Sequence, residues 1–407
     1  MRRLAIFLLL GVMLTIAGCG GRTSSGSSNS NSNPNPNPIV TSGANVQPIA
    51  VNSGPLGNYA NGIFTPVTIC VPGTSNCQKI SGVLVDTGSY GLRLLSSAVS
   101  LALPQQNTAT GVPVAECAQF ADGVTWGPVK TADVKLASEQ ASSVPIQIIG
   151  DPKFSAVPSS CSSKATPMDT LQTLSANGIL GVGPFRQDCG DQCALPVGAG
   201  NPGIYYQCPS STCAPTQEPV SQQLQNPVWL FPQDNTGVIV ELPAVGPAGA
   251  PSVNGSLVFG IDTQSNNALG SAKVFTLNSS GNFTTVYPAS GGTSYSNSFI
   301  DSGSNGLFFG TATPTLPACS KATGFYCPSS TQNFSATQQG GNGTSNTVNF
   351  SVANAESFNS NDFAFDDLAG PNANTFDWGL PFFFGRNVFT AIESQPTSAG
   401  AGPFWAY

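Results

Sequence analysis

The chain contains two matching segments, Gly82-Val-Leu-Val-Asp-Thr-Gly-Ser-Tyr-Gly-Leu92 and Asn297-Ser-Phe-Ile-Asp-Ser-Gly-Ser-Asn-Gly-Leu307. Asp, Gly, Ser, Gly and Leu recur at one constant offset, which brings Asp86 into register with Asp301. In both copies an apolar strand ends at the acid, and a turn of small hydroxyl residues and glycine follows. The internal repeat predicts two similar lobes that meet around the two acids.

A second pair of motifs follows the acids. Gly178-Ile-Leu-Gly181 comes after Asp86, and Phe382-Phe-Phe-Gly385 comes after Asp301. Each half of the chain would therefore contain an acidic turn and, some way downstream, two apolar residues and a glycine. This second correspondence strengthens the prediction of a duplicated architecture.

The remainder of the chain also favours β structure. Residues 96–103 and 221–230 are the only segments with a short helical pattern. The apolar runs are rich in Val, Ile, Phe and Thr, and Gly, Pro, Asn or Asp bounds most of them. They lie at 64–70, 82–85, 134–136, 144–149, 238–242, 256–259, 272–277 and 382–392.

These motifs resemble those of the pepsin-like aspartic peptidases over residues 58–393. Three further segments resemble the family, namely Asn177-Gly-Ile-Leu-Gly-Val-Gly183, Gly255-Ser-Leu-Val-Phe-Gly-Ile-Asp-Thr263 and Phe383-Phe-Gly-Arg-Asn-Val-Phe389. The resemblance implies a mostly β, bilobal fold of two pseudo-symmetric β lobes with a cleft between them. The N-terminal lobe would span 47–240, with a Cys-rich insertion at 186–219 that has no counterpart in the family, and the C-terminal lobe 241–407.

The resemblance also implies a site. Asp86 and Asp301 would be the catalytic pair, which shares one proton because two adjacent carboxylates cannot both ionise cheaply. One acid would activate a water and the other would protonate the leaving amine, so that neither a cofactor nor a metal is expected. The family assigns supporting roles to the residues of the two turns. They are Thr87 and Ser302, which would cross-link the turns, Ser89 and Ser304, which would hold the outer carboxylate oxygens, and Gly88 and Gly303, which would permit the tight turns.

The predicted flap departs from the family. A two-residue turn at Asp122 and Gly123 predicts a hairpin over the cleft, with Phe120 where the family has a Tyr. The Trp that partners this Tyr aligns with Arg93, and Trp126 is a candidate to compensate from across the hairpin. Two interpretations remain open for Phe120 and Trp126, substrate contact or ordinary core aromatics. For Arg93, a solvated surface position is favoured over a substrate contact.

The composition excludes several classes of function. The chain of 407 residues has no His, and only 8% of its residues are charged, with a net charge of −7. A Ser-His-Asp triad, a Cys-His dyad and a His-ligated zinc site are therefore impossible. Nucleic acid is not expected as a partner, because binding it requires clustered Lys and Arg. A peptide or protein substrate and a monomeric state are expected instead.

The N-terminus predicts export and a lipid anchor. Arg2 and Arg3 precede an apolar run that ends at Gly18, directly before Cys19. This pattern resembles a bacterial lipoprotein signal peptide over 1–18, with a lipidated (palmitate-type) Cys19 and a disordered Ser/Asn/Pro tether over 19–46. An Asp directly after the lipidated Cys is typical of lipoproteins retained in the inner membrane. This chain has Gly20 there, which indicates the outer membrane of a bacterial cell envelope.

The remaining cysteines fit an exported protein. Eleven cysteines less Cys19 leave ten, which allows five disulfides. The spacing favours the pairs Cys70–Cys77, Cys319–Cys327 and Cys117–Cys161. The other four could pair in three ways that the sequence does not distinguish; they are Cys189, Cys193, Cys208 and Cys213.

Three functions follow from these observations. The first is a membrane-anchored aspartic endopeptidase that hydrolyses peptide bonds. The second is a non-catalytic lipoprotein that holds a peptide or an envelope polymer in the same cleft. The third is a structural envelope lipoprotein whose lobes display disulfide-bonded loops. The paired motifs favour the first, and the altered flap favours the second.

Overall fold

The computed structural model describes residues 39–310 and 315–407. These residues are 41% strand and 8% helix, which confirms the mostly β prediction. The described strands are β1 (Val46–Asn52), β2 (Gly62–Cys70), β3 (Cys77–Asp86), β4 (Tyr90–Leu95), β5 (Val114–Gln119), β6 (Val124–Leu136), β7 (Glu139–Ile149), β8 (Gly178–Val182), β9 (Tyr205–Gln207), β10 (Ala214–Pro215), β11 (Gly237–Leu242), β12 (Val253–Phe259), β13 (Val274–Thr276), β14 (Phe283–Tyr287), β15 (Thr293–Ile300), β16 (Leu307–Phe309), β17 (Gln332–Gln339), β18 (Ser345–Val352), β19 (Ala369–Pro371), β20 (Asp377–Trp378), β21 (Arg386–Ala391), β22 (Pro396–Thr397), β23 (Gly400–Ala401) and β24 (Phe404–Ala406).

Helical structure is confined to single turns in this part of the chain. The two segments with a helical pattern form only 3₁₀ turns, because neither is long enough to propagate a helix. Among the described residues, no helix has the length and apolar character needed to span a membrane. The α-helices are α1 (Ser159–Ser162), α2 (Leu171–Leu174) and α3 (Asp191–Ala194), and the 3₁₀ turns are Ser96–Ala98, Pro152–Phe154, Val220–Gln222, Pro227–Leu230, Ala355–Ser357 and Leu380–Phe382.

Two large sheets organise the described strands. The larger has the strand order β10-β9-β5-β6-β7-β4-β8-β3-β2-β1-β12-β11-β21-β24-β13, and the smaller β18-β17-β14-β15-β20-β16-β19. Residues from both sheets contribute to one hydrophobic core cluster, which contains Val85 and Ile300 directly before the two acids. The predicted boundary between 240 and 241 falls inside β11, which pairs with β12 and β21.

The duplicated motifs occupy the same strand arrangement. In the first copy, β3 is parallel to β8, β8 is antiparallel to β4, and β4 is parallel to β7. In the second, β15 is parallel to β20, β20 is antiparallel to β16, and β16 is parallel to β19. Each acidic turn therefore connects two strands that flank a third strand, and the sequence repeat has a structural counterpart.

The second strand partner lies elsewhere than predicted. Phe382-Phe-Phe-Gly385 does not pair with the strand of Asp301; instead Ile300 pairs with Trp378, as Val85 pairs with Leu180 in the first copy. The backbone N–H of Asp301 donates to the carbonyl of Trp378 at 3.1 Å, and Gly379 follows. The prediction failed because Asp377 interrupts the apolar pattern that marks this strand, whereas the later Phe run imitates it.

The described chain is already ordered before residue 47. Asn45 is fully buried, and its side-chain amide donates to the Phe259 carbonyl at 2.9 Å. The backbone N–H of Val40 donates to a Glu241 carboxylate oxygen at 2.7 Å. The predicted tether of 19–46 is therefore too long at its C-terminal end. The signal peptide, Cys19 and the tether up to residue 38 lie outside the described residues.

All ten cysteines of the described chain are paired. The three predicted disulfides, Cys70–Cys77, Cys117–Cys161 and Cys319–Cys327, are confirmed. The pairing of the four cysteines in the insertion, which the sequence does not distinguish, is Cys189–Cys193 and Cys208–Cys213. Each of these two bonds closes a small loop within the insertion.

Candidate active site

Asp86 and Asp301 lie side by side. Asp86 ends β3 and Asp301 follows β15, and each acid faces the glycine of the opposite turn. The backbone N–H groups of Gly88 and Gly303 donate to Oδ1 of Asp86 and Asp301 at 2.7 and 2.8 Å. A Cβ on Gly303 would lie 2.7 Å from Cγ of Asp86, and one on Gly88 would lie 2.6 Å from Cγ of Asp301. Glycine is therefore required because each turn packs against the opposite acid.

The hydroxyls of Thr87 and Ser302 join the two turns reciprocally. Thr87 Oγ1 accepts from the backbone N–H of Ser302 at 2.9 Å and donates to the Ile300 carbonyl at 3.2 Å. Ser302 Oγ accepts from the N–H of Thr87 at 3.1 Å and donates to the Val85 carbonyl at 2.8 Å. Both residues are fully buried, so these bonds satisfy polar groups that would otherwise be buried without a partner, at a cost in stability. The same bonds fix the spacing of the two acids.

A serine holds the second oxygen of each acid. Ser89 Oγ donates to Asp86 Oδ2 at 2.6 Å, and Ser304 Oγ contacts Asp301 Oδ2 at 2.9 Å. Donors on the outer oxygens stabilise the charged form of a carboxylate and orient it. The structure thus brings together the two predicted acids and the six residues predicted to support them.

The pair is built to retain a proton. Burial raises the pKa of the Asp301 carboxyl well above its usual range, and the charges of Asp86 and Asp377 raise it further. Two adjacent carboxyls cannot both ionise cheaply, so the pair retains one proton between them. At moderate pH the arrangement therefore combines one base and one acid within hydrogen-bonding distance.

The acids open into a cleft of about 340 Å³. Asp86, Asp122, Asp301 and Asp377 are its charged lining groups, and no lysine or arginine of the described chain lines it. Its walls combine these carboxyls with large apolar side chains. The apolar residues are Leu84, Phe120, Met168, Ile179, Phe308 and Phe325.

A hairpin of β5 and β6 covers the cleft. The N–H of Phe120 donates to the carbonyl of Gly123 at 2.8 Å and closes the turn, and Phe120 and Asp122 line the cleft. A Cβ on Gly123 would lie 2.3 Å from the Thr166 carbonyl and 2.7 Å from Met168 Cγ. The predicted Asp122-Gly123 turn is therefore present, and it requires glycine because the turn packs against this neighbouring segment.

Trp126 does not take part in the cleft, contrary to its proposed flap role. It is 3% exposed, its indole N–H donates to the Phe154 carbonyl at 2.7 Å, and its ring packs 5.2 Å from that of Tyr206. Trp126 lies opposite Cys117 in the hairpin, on the face covered by the Cys117–Cys161 disulfide. It is a core aromatic residue, the alternative that the sequence left open.

Arg93 is buried, contrary to the expected surface position. Its Nη2 contacts Glu116 Oε1 at 2.5 Å and Asp188 Oδ2 at 3.0 Å, and its guanidinium carbon lies 5.6 Å from the centre of the Phe120 ring. The side chain of Arg93 is only 3% exposed. Burial alone would lower the pKa of Arg93, but the two carboxylates raise it overall, so the residue stays charged. The two carboxylates compensate for its lost hydration.

The Cys-rich insertion braces the hairpin. Its strand β9 pairs with β5 of the flap, and its Asp188 completes the pair of carboxylates around Arg93. Tyr205 donates to Asp188 Oδ1 at 2.7 Å and accepts from the N–H of Leu224 at 2.8 Å. Burial raises the pKa of Asp188 well above normal, and Glu116 adds to this effect while Arg93 opposes it. The insertion thus supports the flap.

Two further residues line the cleft that the sequence motifs do not indicate, Asp377 and Tyr59. Ser304 Oγ lies 2.6 Å from Asp377 Oδ2, and burial raises the pKa of Asp377 to about 8. The buried hydroxyl of Tyr59 has no hydrogen-bond partner among the described residues. Asp377 could have been recognised in the sequence as the one acid within the apolar run 376–384. The sequence around Tyr59 contains no motif that marks it as a residue of the cleft.

One group in the described part of the chain has the donor atoms and spacing of a metal site, namely Cys319, Cys327 and Glu356. The two cysteines are joined in a disulfide, so they do not offer the thiolates that a soft metal requires. Within this part of the chain, the donor chemistry therefore gives no reason to assign a metal to that group.

The chain belongs to the family described as "Protein of unknown function (DUF3443)", whose profile matches residues 41–407. No curated protein matches the chain. Membership of this family carries no activity with it, so a functional assignment depends on the geometry of the acid pair and its cleft.

Proposed function

We propose that this member of the DUF3443 family is a pepsin-like aspartic endopeptidase, tethered by Cys19 to a bacterial cell envelope. It hydrolyses peptide bonds with a water activated between Asp86 and Asp301. The observation that carries the proposal is the adjacency of these two acids, each held in an equivalent turn whose glycine packs against the opposite acid. Adjacent carboxyls that share a proton are the arrangement used for acid–base hydrolysis without a covalent intermediate.

The bilobal part of the proposal is supported by the repeated strand arrangement. β3, β8, β4 and β7 around Asp86 correspond to β15, β20, β16 and β19 around Asp301. The bonds between Thr87 and Ser302 cross from one copy to the other with matching atoms. Such reciprocity is expected where two similar lobes meet about a pseudo-two-fold axis.

In the proposed reaction the two acids have different starting states. Asp301 holds the shared proton and hydrogen-bonds to the scissile carbonyl, while charged Asp86 takes a proton from the water as the water oxygen attacks the carbonyl carbon. The tetrahedral intermediate collapses when its carbon–nitrogen bond breaks and Asp301 gives its proton to the departing amine. The pair ends with one proton, now on Asp86, and the shared hydrogen bond returns it to Asp301.

The cleft walls support a preference for bulky apolar side chains. A second cavity of about 300 Å³ adjoins the cleft, sharing Tyr59, Asn305 and Phe325 with it. Phe358 and Leu368 are among its other lining residues. An extended peptide crossing the acids would bury apolar side chains against these surfaces, at roughly 25 cal/mol per Å² of apolar area.

Localisation in an oxidising compartment is supported by the five disulfides. The lipid anchor remains a prediction from the pattern before Cys19. A monomer that acts on peptides or proteins near the outer membrane is the corresponding expectation.

A second candidate function is a lipoprotein that binds a peptide or an envelope polymer without cleaving it. Phe120 favours this alternative, because it lines the cleft from the flap but has no hydroxyl to hydrogen-bond with a substrate. The cost of one missing hydrogen bond is about 0.5–1.5 kcal/mol. That cost slows a reaction without abolishing it, which is why hydrolysis is the primary proposal.

A peptide library distinguishes the two functions. The mature chain without its lipid is incubated with the library over pH 3–8, and mass spectrometry identifies both new termini and intact peptides that co-purify. Cleavage that is lost in the Asp86→Asn variant supports the peptidase. Intact bound peptides without new termini at any pH would establish the binding function instead.

A further inference from the structure

The two acidic turns differ at one position of the neighbouring strand. In the first copy, Leu84 pairs with Ile179, and at the equivalent point of the second copy Phe299 pairs with Asp377. Asp377 therefore occupies a position that is apolar in the other half of the molecule. It is 6% exposed and lines the cleft, and its Oδ1 is buried without a hydrogen-bond partner in the described structure.

Ser304 connects this third acid to the pair. Its Oγ lies 2.9 Å from Asp301 Oδ2 and 2.6 Å from Asp377 Oδ2. A serine hydroxyl has one proton to donate, so it can satisfy only one carboxylate. The second short contact is favourable only when a carboxyl proton points at the serine oxygen. In the first copy, the corresponding serine, Ser89, contacts Asp86 alone among the carboxylates.

We propose that Asp377 is a third acid of the site, a positioning residue that acts through Ser304 to keep the shared proton on the Asp86–Asp301 pair as the pH rises through the range in which Asp377 ionises. This inference rests on the proposed function. It deepens that proposal by extending the active pH range of the enzyme further to the alkaline side than two carboxyls alone would allow.

The effect of Asp377 on Asp301 depends on whether Asp377 is protonated. While Asp377 is protonated, it donates to Ser304 Oγ, and the serine proton is free to reach Asp301. When Asp377 ionises, it competes for that serine proton and places a second negative charge beside the pair. Asp301 then loses its donor and gains an unfavourable neighbour, and both changes make its own proton harder to remove.

The surroundings of Asp377 do not neutralise this effect. The charged groups that face it are carboxyls, namely Asp301 through Ser304, Asp86 within the pair and Asp122 at the flap turn. On the adjacent strands it pairs with Phe299 and Phe308, which are uncharged. Burial raises the pKa of Asp377 to about 8, so its charge develops on the alkaline side of neutrality, where it raises the pKa of Asp301.

The test compares pH profiles of kcat/KM for wild type and Asp377→Asn. Asparagine keeps the shape and can still donate to Ser304, but it cannot acquire a charge. The alkaline limb of the variant is expected to shift by about 1 pH unit to lower pH, with the acid limb unchanged. Asp191→Asn, which removes the same charge from the exposed surface of α3, is the matched control and should leave both limbs in place.

An alkaline limb that stays in place or moves to higher pH in Asp377→Asn would overturn the proposal. Asp377→Ile, which copies the residue of the first half, provides a second variant and is expected to shift the limb in the same direction. Carbon-13 NMR of Asp-labelled protein provides a readout besides activity. The Asp301 carboxyl should titrate at lower pH in Asp377→Asn than in wild type, even if no peptide is cleaved. If the Asp301 carboxyl titrates at the same pH in both proteins, the role of Asp377 is contradicted. If its titration shifts but no peptide is cleaved, only the peptidase function fails.

Discussion

The guanidinium carbon of Arg93 lies 5.6 Å from the centre of the Phe120 ring. This contact connects the tip of the flap to a buried ion cluster formed by Arg93, Glu116 and Asp188. Arg93 sits on β4, directly after the first acidic turn, and Phe120 lines the cleft above the acids. Through Glu116 on β5 and Asp188 in the insertion, the same arginine connects the flap to its supporting strand. The position of the flap therefore depends on a charge at the base of the acid loop.

Replacing Arg93 should destabilise the protein and loosen the flap. Arg93→Met keeps most of the apolar stem but leaves Glu116 and Asp188 as buried carboxylates without a cation. Breaking a buried ion pair from one side costs about 3–5 kcal/mol. Thermal unfolding followed by circular dichroism should show a clear decrease in Tm.

Arg186→Met is the matched control for Arg93. Arg186 also packs on an aromatic ring, 5.1 Å from the centre of Trp229, but no ion pair to its side chain is present in the described structure. Loss of a cation–π contact costs about 0.5–2 kcal/mol. Equal losses of stability in the two variants would contradict the role assigned to the ion cluster.

Phe120→Tyr should increase the rate of peptide cleavage modestly. The new hydroxyl would stand at the cleft, where it can donate to a bound peptide, and a net hydrogen bond of about 0.5–1.5 kcal/mol corresponds to roughly 2–10-fold in rate. The measurement is kcat/KM on a peptide found in the library. Phe120→Leu, which adds no donor, is the control, and a similar increase in both variants would exclude the hydrogen bond as the cause.

Gly303→Ala should abolish or strongly reduce activity while the protein remains folded. Its Cβ would lie 2.7 Å from Cγ of Asp86, so one of the acids must move, and misplacement of reacting groups by about 1 Å costs on the order of 10²-fold in rate. Gly246→Ala adds the same methyl group at an exposed site with nothing within 4 Å and should behave as wild type. Full activity of Gly303→Ala would show that this contact does not constrain the acids.

The acid pair could be predicted from the sequence because its determinants are local. An acid at the end of an apolar strand, followed by a hydroxyl residue, a glycine and a serine, specifies the turn within a few residues, and the repeat indicates that two turns meet. Asp86, Asp301 and the six supporting residues lie together for this reason. The mostly β class followed from the same short apolar runs and turn residues.

The remaining features depend on contacts between distant parts of the chain. Arg93 appeared to be a surface residue because its partner Asp188 comes from the insertion, 95 residues away. Asp377 was missed because a single acid in an apolar run obscured the strand that pairs with β15. Trp126 was assigned to the flap by its position in the hairpin, but the face on which it lies is determined by Tyr206 and a disulfide.

Cys19→Ser should release the protein from membranes. Lipidation of Cys19 would provide the anchor, and serine has no thiol to receive the acyl chain. Fractionation of cells that express wild type and Cys19→Ser measures the distribution, and mass spectrometry of the native protein should detect acyl chains on Cys19 and no free thiol among the other ten cysteines. Cys19→Ser that stays with the membrane would contradict the predicted anchor.

In the proposed function, Asp86 and Asp301 together hydrolyse a peptide bond. The most direct measurement is kcat/KM for a single cleaved peptide with wild type, Asp86→Asn and Asp301→Asn, purified identically. Loss of the acid or of the base is expected to reduce kcat/KM by roughly 10³-fold or more in each variant. Cleavage at the wild-type rate in either variant would show that the activity does not come from this pair.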